Sequence, residues 1–555
     1  MYVNRKKVRN VRKFYNRQMM KNILKYSRQI LPVGAFLLAL ALSVSCSDEK
    51  LGGDDNGDPK EGKEMYLSVA STSGRITGSN TRMSDGSGED PGTIEEKHVE
   101  KVRMVLYGAT DDIVKYAFDF NIRSNDEYDG FVEYEGPEAP YLYASGGSDQ
   151  FTTYARKVKY DDYRMLILIN PTYVAESETG TVSQSTHDLY EITAVGQPLS
   201  RYLEAVRQDY ADLHNKERGG IAEDKYFLMS NHQGLIPVDK DADLKLTADA
   251  ANRDPVPVEV SRAVSKVIVV TEGMLVEPSG ASVAELKWDL DVRSRQTYWM
   301  RKLTYLIDED SDAPGAMEVL RDNTKRFLQY AEDPHFEGYS ASTGASDSKR
   351  AGAFLYLKDG SLSPVLGQEA DQALYCLENT MVANEQNDDV LTSVVVGCRY
   401  APVGFNIGES YFIYGKVVIP AGMMLSFVSN PETIPSSVAA LNGLAEAITA
   451  AQTEDRIDFG NLDASFRSNG ISYYHQGMNY YAVRIIHGGT ETGRYNPGTH
   501  AYGLYGVVRN NSYKVTIQSI KGPGSSIVVQ PERWNLVASI EILGWQERDQ
   551  DNELE

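Results

Sequence analysis

The chain has 555 residues, of which 41% are hydrophobic, and it contains 46 Gly and 21 Pro. This is an ordinary globular composition, long enough for roughly two to four domains with buried cores. Residues 83–555 carry 41 basic and 71 acidic side chains, a net charge of −30. Because nucleic-acid affinity depends on Lys and Arg side chains that neutralise phosphates, nucleic acid is excluded as an expected partner.

The N-terminus has the features of an export signal. Residues 1–46 carry ten basic side chains and no acidic one, and residues 31–44 form an apolar run. A run of 14 residues is shorter than the roughly 20 that a membrane-spanning helix needs, and is typical of a signal peptide. Small residues before Cys46 resemble a bacterial lipobox, although Ser43 stands where Leu is usual. We predict a lipoprotein signal peptide at residues 1–45 and a lipid such as palmitate on Cys46, the alternative being a plain signal with an incidental cysteine.

The segment after Cys46 is expected to be a flexible tether. Residues 47–64 contain seven acidic side chains and four glycines, so they cannot build a core. The precursor would then touch a membrane only through its lipid. Cys376 and Cys398 remain for the exported body, and their strand-like surroundings leave open either one disulfide or two buried free thiols.

The rest of the chain has the pattern of a β-sandwich protein, with short apolar or alternating runs separated by turn residues. Met65, Leu67 and Val69 alternate with less apolar neighbours, while residues 165–169 and 267–270 are continuously apolar, as in strands covered on both faces. Residues 473–474 and 480–486 flank His475-Gln476-Gly477, and this spacing predicts a hairpin.

Two segments have helical spacing. The first has apolar residues at Leu199, Leu203, Val206, Tyr210 and Leu213, with Ser200 as the expected N-cap. The second, after Pro435-Ser436-Ser437, has them at Val438, Leu441, Leu444, Ala445 and Ile448. We interpret both stripes as packing faces. A domain boundary is predicted near residue 260, between a proline-rich stretch and the apolar run at 267–270.

No catalytic motif is present: the chain lacks a phosphate-binding loop, a nucleophile elbow, a zinc-protease motif and a C-x-x-C pair. His475 and His487 would meet only in one register of the predicted hairpin. Asp308, Asp310 and Asp312 are spaced as in a calcium loop, but Ala313 stands where that loop needs Gly. We therefore expect no catalytic, cofactor or metal site, and no enzyme activity.

Several motifs in the chain resemble those of Bacteroidales fimbrillins, the shaft subunits of type V pili, and most closely the subunit of the short, or minor, fimbria. They are Phe227–Ser230, Arg262–Lys266, Tyr375–Thr380, Asn479–Ile485, Gly506–Asn510, Tyr513–Ile517 and Gly522–Gly524, with a further similarity around Trp288 and Arg301-Lys302.

The resemblance implies a mainly β protein with two tandem β-sandwich domains of the transthyretin-like type and a few short helices. The expected divisions are a signal peptide at 1–45, a tether and removable propeptide with the first β-strand at 46–82, an N-terminal sandwich at 83–262, and a C-terminal sandwich with the donor strand at 263–555.

It also implies a mode of assembly. An Arg-specific protease removes the N-terminal segment with its first strand, which corresponds here to Met65–Thr72 and to the apolar side chains of Met65, Leu67 and Val69. Arg82, followed by Met83, is the expected cleavage site because residues around it are small and polar, which favours protease access. Arg75 is the alternative.

Removing a strand from a sandwich exposes core side chains and unpaired backbone groups, which a strand from another molecule can cover. In the C-terminal tail, Trp534, Leu536, Ala538, Ile540 and Ile542 alternate as such a donor would. Burying them contributes on the order of 6–12 kcal/mol before ordering costs. Since a groove and a donor at opposite ends do not close a ring, a filament grows. The alternative is that this segment is the last strand of its own domain.

The expected function is that of a structural subunit of a cell-surface fimbria displayed for adhesion and colonisation, first present as an outer-membrane lipoprotein. Its expected partners are other copies of itself, fimbrial anchor and tip subunits, the Arg-specific protease, and a receptor on a host or bacterial surface. The alternative function is a surface lipoprotein that binds a glycan or nutrient.

Overall fold

The computed structural model describes residues 63–71, 89–90, 96, 99, 101–123, 141–143, 151–171, 189–203, 206–208, 227–232, 234–300, 302–304, 330–332, 334, 354–357, 372–381, 390–485, 487, 506–528 and 535–545. In chain order, the strands are β1 (Glu64–Leu67), β2 (Val69–Ser71), β3 (Glu89–Asp90), β4 (Lys101–Gly108), β5 (Val114–Arg123), β6 (Tyr141–Tyr143), β7 (Thr152–Thr153), β8 (Arg156–Lys159), β9 (Tyr163–Ile169), β10 (Val206–Gln208), β11 (Met229–Asn231), β12 (Ile236–Val238), β13 (Val256–Val258), β14 (Val260–Arg262), β15 (Val264–Val276), β16 (Ser282–Asp291), β17 (Arg293–Ser294), β18 (Gln296–Tyr298), β19 (Lys302–Thr304), β20 (Tyr330–Glu332), β21 (Phe354–Leu355), β22 (Ala373–Leu377), β23 (Ser393–Ala401), β24 (Tyr411–Tyr414), β25 (Val417–Pro420), β26 (Phe466–Ser468), β27 (Ile471–Tyr474), β28 (Met478–Arg484), β29 (Asn511–Ile520) and β30 (Leu536–Trp545).

Helices are short by comparison. They are α1 (Leu199–Leu203), α2 (Ala248–Arg253), α3 (Ala421–Ser429) and α4 (Leu444–Thr453), with 3-10 turns at Pro431–Thr433, Ala439–Leu441 and His475–Gly477. The predicted mainly β fold with a few short helices is therefore confirmed. The division into two tandem sandwich domains at 83–262 and 263–555 stays a prediction.

The largest sheet has ten strands, in the order β13-β2-β7-β6-β5-β4-β9-β11-β14 with β12 also paired to β9. Its central strands β4 and β9 are buried along nearly their whole length, as the apolar run at 165–169 predicts. β2 lies inside this sheet, parallel to β13 and antiparallel to β7. A neighbouring pair joins β1 antiparallel to β8.

A second core lies between a five-stranded sheet, β22-β15-β29-β30-β3, and a three-stranded sheet, β16-β23-β28. The long strand β15 serves both cores, because Val264 packs in the first core and Val267 and Val269 pack in the second. The predicted boundary near residue 260 thus falls just before the strand that connects the two cores.

Residues 411–474 add a smaller sheet, β25-β24-β27-β26, covered by α3 and α4. Its own core includes Phe412, Met424 and Leu444. The pattern at 421–429, which forms α3, was not among the predicted helices.

The predicted hairpin around His475-Gln476-Gly477 is wrong. β27 pairs with β24 and β26, whereas β28 pairs with β23, so the two flanking runs belong to different sheets. The three intervening residues form a 3-10 turn in which Gln476 has a φ of 51°, and this turn redirects the chain from one sheet to the other. His475 approaches Tyr473, and His487 bonds Tyr513, rather than each other.

Both predicted helices are shorter than their apolar spacing indicates. α1 ends at Leu203, and Val206–Gln208 pairs as strand β10 with β18; Ser200 lies within α1 and is not its N-cap. The second stripe is broken at Gly443, whose φ of 84° separates the turn Ala439–Leu441 from α4. Residues 209–226, with Tyr210 and Leu213, and the aspartates at 308, 310 and 312 lie outside the described residues.

Candidate assembly site

The leading segment, residues 64–71, is built into the N-terminal core. Met65 is 2% exposed, and Leu67 and Val69 are fully buried, so the alternation predicted for the propeptide strand matches the side that faces the core. The strand is interrupted between Leu67 and Val69, where Ser68 separates β1 from β2. Thr72, the last residue of the predicted strand, lies outside the described residues.

The backbone of the leading segment is bonded on both sides. The amide of Ser71 donates to the carbonyl of Phe151 (2.9 Å), and the amide of Val256 donates to the carbonyl of Ser68 (2.8 Å). Tyr66 and Lys245 exchange two further backbone bonds. Loss of residues up to 82 would therefore open a slot between β7 and β13 and uncover apolar core surface, which is the geometry of a strand acceptor.

Ser68 is buried although it lies between two core-facing residues. Its side chain is 1% exposed, and its Oγ donates to the carbonyl oxygen of Thr153 at 2.6 Å. The Oγ1 of Thr153 in turn accepts from the amide of Val69 at 3.0 Å. This side-chain network ties the middle of the leading segment to β7.

The outer end of the leading segment carries a charge contact. Lys157 Nζ lies 3.2 Å from Glu64 Oε2 and 6.0 Å from the ring centre of Tyr66. The hydrogen bond with Glu64 raises the pKa of Lys157 above its ordinary value. Since Glu64 and Tyr66 both precede Arg82, cleavage there would remove both partners of this lysine.

The C-terminal strand, β30, pairs antiparallel with β29 of its own domain from Leu536 to Gly544. Leu536, Ala538 and Ile540 pack half-buried against the second core, in the alternation that the sequence predicts. The backbone of Ile542 belongs to the same strand, while Trp534 lies outside the described residues. In this structure the strand therefore covers its own domain.

Within the residues that the structure describes, one edge of the C-terminal strand has little cover. Beyond β29, its described strand partner is β3, which pairs only Glu89 with Gly544 and Asp90 with Trp545. An outer strand with a largely open edge is the kind of element that pairs with another chain.

The start of the C-terminal strand is fixed by the predicted Gly522-Pro523-Gly524 motif. The side-chain amide of Asn535 donates to the carbonyl of Pro523 (2.5 Å), and the Asn535 carbonyl accepts from the amide of Lys521 (2.6 Å). A Cβ on Gly522 would lie 3.2 Å from the Asn535 side chain, so glycine permits this approach.

Beside Asn535 lies a surface cleft of about 220 Å³ whose lining includes Tyr474, Tyr480 and Arg467. The Tyr474 hydroxyl donates to the carbonyl of Gly524 at 2.8 Å. This hydroxyl and the Asn535 amide are thus both engaged within the chain.

The junction between the two cores contains a buried charge cluster that the sequence analysis missed. Glu96 is 2% exposed, and its carboxylate lies 3.0 Å from Lys266 Nζ and accepts from the Tyr375 hydroxyl at 2.5 Å. Its carbonyl accepts from Arg262 Nε at 2.8 Å. No local pattern marks Glu96, but its partners lie in two of the resembling motifs.

Two more motif residues form a second buried pair. Arg509 Nε lies 2.5 Å from Glu378 Oε2, and Arg509 Nη2 donates to Thr297 Oγ1 at 2.9 Å. At Gly506, whose φ is 115°, a Cβ would lie 2.1 Å from the Asn379 carbonyl oxygen, so only glycine fits. The motifs that predict the resemblance therefore hold separate elements together.

Cys376 and Cys398 are both buried and unpaired, so of the two alternatives the structure has free thiols. Burial raises the pKa of each thiol to about 12. At neutral pH both are uncharged and behave as small apolar core residues.

The remaining predicted sites, Cys46, Arg75, Arg82 and Met83, lie outside the described residues. Among the residues that are described, no helix is long and apolar enough to cross a membrane. Within the same residues, no cluster of three or more His, Cys, Asp or Glu side chains is arranged to hold a metal ion.

Residues 472–551 match the family "Major fimbrial subunit protein type IV, Fimbrillin, C-terminal". This match includes β28, β29 and the C-terminal strand. No curated protein matches the sequence.

Solved structures similar to this chain include a fimbrilin, FimA, from Porphyromonas gingivalis, with 13% identity, 87% of this chain and 98% of that one covered, and a TM-score of 0.39. A protein assigned to cell adhesion from Parabacteroides distasonis has 12% identity, 89% and 100% coverage, and a TM-score of 0.41. A C-terminally truncated tip fimbrial protein from P. gingivalis has 12% identity, 87% and 100% coverage, and a TM-score of 0.32. Likeness at this level transfers no function.

The family match falls on the segment that contains four of the sequence motifs, at Asn479–Ile485, Gly506–Asn510, Tyr513–Ile517 and Gly522–Gly524. The predicted resemblance is thereby confirmed, and residues 472–551 are similar to the C-terminal segment of fimbrillins.

Proposed function

We propose that this protein is a structural subunit of a bacterial surface fimbria, displayed for adhesion, that polymerises by exchange of a β-strand between copies. The observation that carries the proposal is the position of the leading segment. Its Met65, Leu67 and Val69 are buried in the N-terminal core, and it lies before the only arginines between the tether and β3, Arg75 and Arg82.

Export and processing complete the proposal. The precursor is a lipoprotein anchored through Cys46, and an Arg-specific protease cuts after Arg82, with Arg75 as the alternative. The mature subunit then begins at Met83 and lacks the strand that fills the slot between β7 and β13. This open slot supplies the acceptor for a second copy.

The C-terminal strand is the proposed donor. Its apolar side chains already pack in the alternation that the slot requires, and in the described part of the chain only the two residues of β3 pair with its outer edge. Leaving its own domain costs the burial of Leu536, Ala538 and Ile540, and entry into the slot of the next copy regains a similar burial. The family match over this strand favours the same role.

Arg-specific digestion of the purified precursor tests the proposal. The wild-type chain is expected to give a new N-terminus at Met83 by mass spectrometry and ladders that resist SDS without heating. An Arg75→Gln/Arg82→Gln variant should remain monomeric, with Arg75→Gln as the matched control that still assembles. A stable cleaved monomer from the wild-type chain would contradict assembly by strand exchange.

A further inference from the structure

The burial of Ser68 sets a condition on any strand that replaces the leading segment. Its hydroxyl donates to the Thr153 carbonyl in a site only 1% exposed, so that carbonyl loses a partner when residues up to 82 are removed. Because a buried polar group without a partner is unfavourable, the incoming strand needs a small residue with a donor at this position.

The C-terminal strand contains one hydroxyl residue, Ser539. It lies between the core-facing Ala538 and Ile540, as Ser68 lies between Leu67 and Val69. In its own domain Ser539 is exposed and accepts a bond from Gln518 Nε2 at 3.1 Å. Its hydroxyl is thus available to another partner when the strand moves.

Neighbouring registers fail this condition. Because the core-facing side chains alternate, the strand can slide only by two residues at a time. One such slide puts Val537 beside the Thr153 carbonyl, which supplies no donor. The other puts Glu541 there, which buries a carboxylate against a carbonyl oxygen. We propose, resting on the strand exchange above, that Ser539 of one copy takes the place of Ser68 in the next.

Side-chain size selects the direction of the strand. If the C-terminal strand runs opposite to the leading segment, Ile540 replaces Leu67 with equal volume and Ala538 replaces Val69. The replacement of Val69 by Ala538 leaves only a small gap. If the strand runs in the same direction, Ala538 replaces Leu67, which leaves a larger cavity, and Ile540 replaces Val69, which overpacks that site. Both faults are costly in a fully buried core, so the opposite direction is favoured.

Charge selects the same direction. In the opposite direction Glu541 takes the place of Tyr66, which pairs with Lys157 across β1 and β8. Cleavage removes Glu64 and Tyr66, both partners of Lys157, and Glu541 supplies a new carboxylate there. In the same direction Glu541 would replace Ala70, beside Thr152 and Pro257. The exposed pair contributes little stability but favours one orientation during encounter.

The backbone groups of β7 and β13 can pair with a strand that runs opposite to the leading segment. β2 is parallel to β13 and antiparallel to β7, so a reversed strand in the slot exchanges these two relationships and keeps one of each. Parallel and antiparallel pairing both satisfy the backbone groups of the slot. Direction is therefore decided by the side chains.

Cross-linking between pairs of introduced cysteines tests the register and the direction of the strand directly. Lys157 faces Tyr66 and Thr152 faces Ala70 in the precursor. In the proposed arrangement Lys157→Cys therefore faces Glu541→Cys, and Thr152→Cys faces Val537→Cys. Each double variant is digested to assemble filaments and treated with a short bifunctional thiol reagent. We expect ladders that survive boiling from these two pairs. The buried Cys376 and Cys398 give no background in the single-cysteine controls.

Other outcomes overturn the inference in distinguishable ways. Ladders from the exchanged pairs, Lys157→Cys with Val537→Cys and Thr152→Cys with Glu541→Cys, overturn the direction. Filaments in which none of the four pairs reacts overturn the register. If the unsubstituted subunit forms no filaments at all, strand exchange itself fails, which is a separate result.

A second variant tests the role of the hydroxyl. Ser539→Val should leave precursor folding unchanged, because Ser539 is exposed in its own domain, and should slow filament formation at least tenfold. Gln518→Ala, which removes the same intramolecular bond without changing the strand, is the matched control and should assemble at the normal rate. Normal assembly of Ser539→Val overturns the proposed contact with Thr153.

Discussion

Arg509 and Glu378 form an ion pair in which both side chains are wholly inaccessible to solvent, with Nε and Oε2 2.5 Å apart. The Arg509 backbone amide also donates to Oε1 of Glu378 at 3.2 Å. The two residues are 131 positions apart in the sequence, and each lies in a motif that resembles those of fimbrillins. One contact therefore links these two motifs in the folded protein.

Replacing only one residue of this pair should lower the free energy of unfolding substantially. Arg509→Met leaves a buried carboxylate without its partner, and we expect a loss of about 3–5 kcal/mol in the free energy of unfolding. Urea denaturation of the precursor measures it. The double variant Arg509→Met/Glu378→Leu should regain much of that loss, and a single variant as stable as the wild type would contradict the buried pair.

The leading segment should stabilise the precursor only. Leu67→Ala removes fully buried methyl groups, so the unfolding free energy of the precursor should fall by about 2–5 kcal/mol. Filaments made from mature subunits should be unchanged, because the proposed cleavage removes residue 67. Lys63→Ala, at an exposed position, is the control. Weaker filaments from Leu67→Ala would show that the leading segment is retained.

Ile540 should affect both the stability of the precursor and the formation of filaments. Because it packs half-buried on its own core, Ile540→Asp is expected to lower precursor stability by about 1–3 kcal/mol, and it should also prevent filament formation. Thermal unfolding and SDS ladders report the two effects separately. Glu541→Gln, on the neighbouring position, should leave precursor stability within about 0.5 kcal/mol. An unaltered melting temperature for Ile540→Asp would argue against its packing in the second core.

The buried thiols predict a dependence on alkaline pH. Their pKa is about 12 in the folded protein but near 8.5 in an unfolded chain, so unfolding releases protons above that lower value. The stability they contribute is complete below about pH 8.5 and is lost progressively as the pH rises towards 12. At pH 9.5 the two together should cost about 2–3 kcal/mol.

Urea midpoints measured between pH 7 and 9.5 check this slope. Cys376→Ala/Cys398→Ala should show a shallower decline than the wild type over that range. An identical decline in both proteins would mean that other groups set the alkaline limit. The thiols should also resist labelling until the protein unfolds.

Local patterns predicted the strands well where burial decides side-chain type. Met65, Leu67 and Val69 alternate because one face of the strand meets the core, and the apolar run at 165–169 marks a strand covered on both sides. These features depend on the strand itself, so they are visible in the sequence.

Features that depend on distant partners were not predictable in this way. Val206 continues a helical spacing, yet it pairs as a strand with Tyr298, 92 positions later. Tyr474 and Tyr480 flank a plausible turn, yet their strands join different sheets. Tertiary contacts override local spacing in both cases.

The same distinction between local and distant contacts applies to the candidate site. The alternation of the leading segment and the C-terminal strand was readable, but the hydrogen bond from Ser68 to Thr153 was not, because it joins residues 85 positions apart. The Glu96 cluster was missed for the same reason, since its partners Lys266 and Tyr375 come from later strands.

β15 passes without interruption from the first core to the second, between Val264 and Val276. Arg262, at its entry, is tied to Glu96 and, through its backbone amide, to Asn510 of the C-terminal segment. Bending one core against the other would have to break this strand or its buried partners, so the two cores should move together. In the proposed filament, curvature under flow would then arise at the joints between subunits.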